Sequence, residues 1–560
     1  MIGRTELQYI TGMVADCFNQ TIHPAEISVL DGRITAIRKL PVSDLPAHSP
    51  VIIPGFVDAH IHIESSMLVP SAFARMAVVH GTVATVSDPH EIANVCGLDG
   101  IDFMIEDGRR TPFKFNFGAP SCVPATIFET AGAAIDAADV EQLLDRPEIR
   151  YLSEMMNFPG ALHGDPEVLK KIEAARLRGK PVDGHAPGLR GDDARRYIAR
   201  GISTDHECFT AEEALDKLAA GMKILIREGS AARNFEALAP LLHEHWAMMM
   251  FCSDDKHPDS LAEGHIDQLC ARAAGLGVDP FKILQVACVN PVLHYKLDVG
   301  LLRVGDPADF ILVDDLQSFR VRETWIDGQC VARAGRTHIE QIQIPQGSIV
   351  NRFDCRPVTS EDLRVSVDVS EWDLPVIEAR DGQLITGSLR LQPRKDGSEW
   401  VSDADNDVLK IVVVNRYHPA PVARAFIRGF GTKRGALASS VAHDSHNIVA
   451  VGVDDASIAR AVNLVIRERG GVSCVDGESE EVLPLPVGGL MSTDDGYAVA
   501  AAYTRIDQMA KEAGSTLASP FMTLSFMSLL VIPSLKLSDL GLFDGDAFRF
   551  MSDPAGKPCH

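Results

Sequence analysis

Two histidines one residue apart, His60 and His62, end an apolar, β-branched run that opens at Val51. On a strand, side chains repeat with period two, so both imidazoles leave the backbone on one face. Two neutral imidazoles so placed can share a divalent ion. The spacing is weak by itself: with 19 histidines in 560 residues, chance gives roughly 0.6 such pairs. A second pair, His243 and His245, lies in a stretch that reads as the solvent face of a helix. The first pair differs in its setting, with Ile52-Ile53 and Pro54-Gly55 before it and Glu64-Ser65-Ser66 after it.

Strands must carry such a pair, and the chain offers eight in series. Apolar runs at 56–62, 82–88, 114–121, 151–156, 181–185, 202–207, 222–227 and 248–254 alternate with segments of helical composition such as Pro166-Glu-Val-Leu-Lys-Lys-Ile-Glu. Eight strands alternating with helices over ~200 residues is the pattern of an α/β chain folded as a (β/α)8 barrel. In that fold the site lies at the C-terminal ends of the strands. Those ends carry His60 and His62 (first), Asp88 (second), Glu154 (fourth), His185 (fifth), His206 (sixth) and Asp254 (eighth). A doubly wound sheet would not explain why polar residues fall where apolar runs stop. Four imidazoles and two or more carboxylates on one rim meet the needs of two divalent ions with open positions for water.

The residues flanking this block read as short strands. Ile27–Leu30, Asp31-Gly32 and Arg33–Ile37 form a hairpin pattern, and 309–313, 321–326, Asp327-Gly328 and 329–331 repeat it. The expectation is one small β domain built from both flanks, 1–54 with 297–348, around a barrel at 55–296. Residues 349–560 follow as an α+β C-terminal domain, with strands at 411–414 and 448–452 and an amphipathic helix at 456–469.

The stretch PGFVDAHIH resembles the first barrel strand of the amidohydrolase superfamily of metal-dependent hydrolases. The longer PGFVDAHIHIESSMLVPSAFAR and HGTVATVSDPHEIANV, with NRYHP, AHDSHN and SPFMTLSFMSLLVIPSLKL near the C-terminus, are similar to the bacterial adenine deaminases. The likeness covers nearly the whole chain. It implies that His60 and His62 bind one metal, that His185 and His206 bind the other, and that Asp254 contacts the activated water. Many superfamily relatives bridge the ions with a carboxylated lysine on the fourth strand. This chain has Glu154 there, and its nearest lysines, Lys170 and Lys171, fall in the next helix. Glu154 is therefore the expected bridge. Asp88, His90, Glu91 and Asp255 are expected to support the ligands or touch substrate, although Asp88-Pro-His90-Glu91 could equally cap a helix. His443 and His446 read as an extra metal site, part of a lid, or a polar turn. The implied reaction is hydrolytic deamination of adenine to hypoxanthine and ammonia, with water activated between two ions and Asp254 as base and then acid. A His and carboxylate set suits Mn, Fe or Zn, and the resemblance points to Mn2+ or Fe2+. A cytoplasmic homo-oligomer, a dimer, is expected. Alternatives are another amidohydrolase acting on a cyclic amide or a different aminopurine, and a scaffold descendant without catalysis.

Composition excludes other classes. A net charge of −24 argues against a nucleic-acid backbone partner. The 11 cysteines include no CxxC and no paired spacing, so zinc-ribbon and disulfide frameworks fail and the thiols read as reduced. No PCxxC, HExxH or phosphate-loop glycine motif occurs. The N-terminus lacks the basic and apolar halves of a secretory signal. The long uncharged stretch near 513–535 is cut by Pro520 and Pro533, well short of the ~20 residues that span a bilayer, so no membrane partner is expected.

Overall fold

The computed structural model describes residues 7–46, 48–367 and 373–551. The first six residues of the N-terminal flank and the last nine of the C-terminal segment lie outside them. All eight expected core strands are present: Phe56–Ile61, Thr82–Ser87, Lys114–Ala119, Ile149–Met155, Val182–Gly184, Thr204–Asp205, Lys223–Arg227 and Met249–Cys252. The first five form one parallel sheet and the last three another. Hydrogen bonds join the two pieces at both ends. Asp254 donates its N–H to the His60 carbonyl (3.0 Å) and accepts from His62 N–H (3.3 Å), while Ser203 N–H donates to the Val182 carbonyl (2.8 Å). Every residue of Phe56–Ile61 and Thr82–Ser87 is buried. That burial on both faces follows from helices covering a parallel sheet. Gly81, at φ +80°, turns the chain into the second strand, a conformation open mainly to glycine.

The flanks combine as expected. An eight-stranded sheet takes Gln8–Asp16, Thr21–Leu30, Arg33–Lys39 and Val51–Pro54 from the N-terminal side and Phe310–Val313, Val321–Ile326, Gln329–Arg333 and Arg336–Thr337 from beyond the core. Its two halves join where Phe310–Val313 pairs with Val51–Pro54. That junction leads directly into the first core strand and so anchors the histidine pair.

The C-terminal segment builds a second eight-stranded sheet whose central strands include Leu409–Val414, Ile448–Gly452 and Ala436–Ser439. Period-two side chains divide its faces. Val412, Val414 and Ile448 join Ile458, Val462 and Val465 of the helix Asp455–Glu468 in one core. Ile411, Val413, Val449 and Leu437 enter the same continuous core as Ile61, Phe73 and Phe117. The C-terminal sheet is thus seated on the core strands. Residues 520–530 of the long uncharged stretch are buried there, around the helix Pro520–Ser525, and among the described residues no helix is long and apolar enough to cross a membrane. The ten described cysteines are free.

Candidate active site

The residues expected at the strand ends meet in one buried cluster. His60, His62, Asp88, Glu154, His206 and Asp254 are each at most 3% exposed, and His185 is 7% exposed. The Nε2 atoms of His60 and His62 stand 3.2 Å apart, close enough for both to face one ion or, with complementary tautomers, to share an N–H···N hydrogen bond. Glu154 lies between two sets of imidazoles. Its Oε1 is 3.2 Å from His62 Nε2, 3.6 Å from His90 Nδ1 and 4.0 Å from His60 Nε2. Its Oε2 is 2.7 Å from His185 Nδ1 and 3.3 Å from His206 Nε2. Asp254 Oδ1 faces His60 (3.4 Å) and His62 (3.2 Å).

These atoms fall into overlapping groups able to hold a divalent ion: His60, His62 and Asp254; His60, Glu154 and His206; His62, Asp88, His90 and Glu154; and His185, His206 and Glu207. The buried Nε2 of His185, which has no hydrogen-bond partner, fits the same reading, because native interiors rarely leave such an atom unpaired. The donors are imidazole nitrogen and carboxylate oxygen throughout, the chemistry of divalent metal sites. Lys171 plays no part in this. It is buried, but its ammonium donates to the carbonyls of Ser121 (2.9 Å) and Ile135 (2.8 Å).

Local structure explains the placement. Asp58, two residues before His60, accepts from His265 Nε2 at 2.8 Å, from Ser253 N–H at 3.0 Å and from the Ser253 hydroxyl. It thereby ties the first strand to the eighth. Asp254 sits at φ +55°, a strained region for a non-glycine residue, fixed by the two backbone bonds to His60 and His62. Ser121 Oγ donates to the Glu154 carbonyl (2.5 Å), and Tyr197 Oη donates to the Met155 carbonyl (2.8 Å) while accepting from His185 N–H (3.2 Å).

Sequence reasoning missed Arg227 and Glu207. Arg227, at the end of the seventh strand and 2% exposed, donates through Nη1 to Glu207 Oε1 (2.5 Å) and Asp254 Oδ2 (2.6 Å), and through Nη2 to Glu207 Oε2 (3.2 Å). Burial would raise the Asp254 carboxyl, but Arg227 and the facing histidines hold it well below the usual carboxylate range. Burial likewise opposes ionisation of Glu154, and His185 and His206 override it and keep it well below. The signal for Arg227 was available, since it too ends an apolar run.

The DPHE stretch joins the site. Asp88 accepts from His90 N–H (3.1 Å) and faces His90 Nδ1 (3.1 Å), so it both starts the helix His90–Cys96 and orients an imidazole of the cluster. Asp255 accepts from Ser65 Oγ at 2.5 Å. His443 and His446 do sit on a turn, but a buried one: both imidazoles meet the Glu91 carboxylate, and these three side chains form another group able to hold a divalent ion. The other histidine pair, His243 and His245, lies on the short helix Leu242–His245, with His243 exposed and His245 half-buried.

Comparison with known proteins identifies the family. The amidohydrolase family matches residues 51–331, and the adenine deaminase C-terminal domain matches residues 383–549. The adenine deaminase of Salinibacter ruber is 57% identical over 97% of this chain and 98% of its own length. Those of Methanosarcina acetivorans and Borreliella burgdorferi are 51% and 46% identical, each over 96% of this chain and 98% of their own. With both halves matched and near-complete coverage at these identities, the chain belongs to the adenine deaminase family of the amidohydrolases.

Proposed function

We propose that this protein hydrolyses adenine, replacing its 6-amino group with the oxygen of water to give hypoxanthine and ammonia. The observation that carries the reading is Glu154, whose two carboxylate oxygens face two different sets of imidazoles in a chain of the adenine deaminase family. His60, His62 and Asp254 would hold one divalent ion, His185 and His206 a second, with Glu154 between them. Manganese or iron is our choice among the metals such donors suit. Bound there, the ions supply the Lewis acidity that makes water a nucleophile near neutral pH.

The protein's own groups do the rest. Asp254 is ionised, and its Oδ2 is engaged by Arg227. Oδ1 is therefore the oxygen left to take a proton from the attacking water and pass it to the departing amine. Glu207 shares the Arg227 guanidinium and faces His185 (3.6 Å) and His206 (3.4 Å), which holds those rings in place. His90, Glu91 and Asp255 border the cluster as contacts for the purine or as supports. We read the two core sheets as one closed eight-stranded barrel at 55–296. The small β domain then spans 1–54 with 297–348 and the C-terminal domain 349–560, in a cytoplasmic homodimer.

The experiment is a substrate panel on metal-loaded protein. Ammonia release from adenine is expected, with little turnover of dihydroorotate or hydantoins. Turnover of a cyclic amide with adenine inert would overturn the reading, and no turnover with substoichiometric metal would mark a scaffold.

A further inference from the structure

Glu91 opens the helix His90–Cys96 just after the second core strand. The two groups that meet its carboxylate come from the far half of the chain. His443 Nδ1 contacts Oε1 and His446 Nε2 contacts Oε2, across sequence separations of 352 and 355 residues. All three side chains are at most 2% exposed. The turn that carries the histidines runs between the strands Ala436–Ser439 and Ile448–Gly452, and it is pinned on both sides. Tyr417 Oη donates to the Ser445 carbonyl (2.5 Å), and Asn447 donates to the Thr130 carbonyl (2.9 Å) while accepting from Arg416 N–H (3.1 Å). His446 itself sits at φ +55°, so its direction is set by the turn and not by relaxed backbone.

The His446 ring has a defined tautomer. Ala442 N–H donates to its Nδ1 at 3.2 Å, so the proton of the neutral ring is on Nε2 and points at Glu91. A metal-ligating Nε2 would force that proton onto Nδ1, against Ala442 N–H. The geometry therefore favours a hydrogen-bond clamp over a third ion site. The same turn reaches further into the site. Asp444 Oδ1 is 3.5 Å from His90 Nε2, and His443 Nε2 is 3.8 Å from Asp255 Oδ1.

We propose that His443 and His446 are positioning residues that reach in from the C-terminal sheet, hold one oxygen of Glu91 each, and so fix that carboxylate at the edge of the His62–Asp88–His90–Glu154 cluster. Glu91 Oε1 is 3.4 Å from His90 Nε2. An unclamped glutamate there could swing onto His90 and draw it away from Glu154. The C-terminal sheet is in this sense part of the active site, and the core strands alone carry an incomplete one. The inference deepens the hydrolytic reading above and rests on it for its activity readout.

The test uses the full-length, manganese-loaded protein. His446→Ala removes a donor, whereas His446→Gln returns an amide N–H near the position of Nε2. His443→Ala and His443→Asn make the same comparison at Nδ1. Losing a hydrogen bond to a charged group predicts that each alanine variant loses about 10- to 100-fold in kcat for adenine. The melting temperature should fall by a few degrees in each alanine variant, metal per chain should stay at the wild-type value, and the Gln and Asn variants should recover most of both losses. If His446→Ala fails to fold, His446→Met fills the volume without a donor and takes its place. Wild-type kcat and KM in the alanine or methionine variants would overturn the latch. So would a Gln variant as poor as the alanine, or the loss of one ion per chain, which would mark a metal site instead. If the wild-type protein releases no ammonia from adenine, the functional reading fails separately. The latch is then read from amide hydrogen exchange in His90–Cys96, faster in the alanine variants than in the Gln and Asn variants. Unchanged exchange would refute it.

Discussion

Replacing Arg227 with methionine would leave two buried carboxylates, Glu207 and Asp254, without the cation that now lies 2.5 and 2.6 Å from them. Removing one partner of a buried ion pair costs about 3–5 kcal/mol, because the remaining charge cannot be solvated. The site can relax in two ways, by losing stability or by taking a proton onto one carboxyl. The second is the damaging one, since a protonated Asp254 cannot accept the proton of the attacking water. The lower end of that cost, about 3 kcal/mol, corresponds to about two decades at 1.4 kcal/mol per decade. We therefore expect kcat for Arg227→Met to fall by about 100-fold at neutral pH. Arg227→Lys should fall between it and wild type, for a lysine keeps the charge but cannot serve both Glu207 oxygens and Asp254 at once. The assay is ammonia release at saturating adenine on protein matched for metal content by elemental analysis. Arg227→Met within threefold of wild type at equal metal loading would refute the reasoning: either Asp254 is not held by Arg227 or it is not the base.

Other expectations follow from the same geometry. Asp254→Asn keeps the shape but removes the base, so kcat should drop at least ~10²-fold with metal mostly retained; near-normal kcat would move the proton role to Asp255 or Glu91. Glu154→Gln should weaken at least one metal, and Glu154→Ala more so; two ions per chain at wild-type affinity in the Gln variant would show that Glu154 is not the bridge. Lys217, buried on the helix Ala211–Ala219, bonds Asp205, Glu213 (2.7 Å) and the Ala186 carbonyl (2.8 Å). Lys217→Met should cost about 3–5 kcal/mol of stability by denaturant unfolding. Burial opposes ionisation of Asp205, but Lys217 overrides it and lowers the carboxyl to about 2. Its folded value lies below its unfolded one, so its contribution is present above pH ~4 and is lost as the pH falls towards 2; equal acid sensitivity of wild type and Lys217→Met would contradict this.

The sequence was most legible where a side chain's position follows from its own strand. His60, His62, Asp88, Glu154, His185, His206 and Asp254 were found because each ends an apolar run, and strand direction brings such ends to one rim. Arg227 obeys the same rule and was overlooked only because an arginine is no metal donor; its work is to hold Asp254, a role that a search for ligands does not ask about. The flank sheet was readable for a different reason, since each flank contains an Asp-Gly hairpin and a hairpin is local.

What could not be read is pairing at long range. Nothing periodic links Glu91 to His443 and His446, because the C-terminal sheet orders its strands out of sequence and delivers a turn to a helix start more than 350 residues away. A turn of His, Asp, Ser and His reads as solvated unless one knows what lies opposite. The backbone of Asp254 was hidden for a related reason. A left-handed aspartate is unfavourable alone, and its neighbours Ser253 and Asp255 give no sign of it. The conformation is held by the first strand, through the His60 carbonyl and the His62 N–H. The residues that hold the proposed metals thus also hold the proposed base. A substitution in the HxH strand should therefore disturb proton transfer as well as metal binding, and the two losses should not be additive with Asp254→Asn.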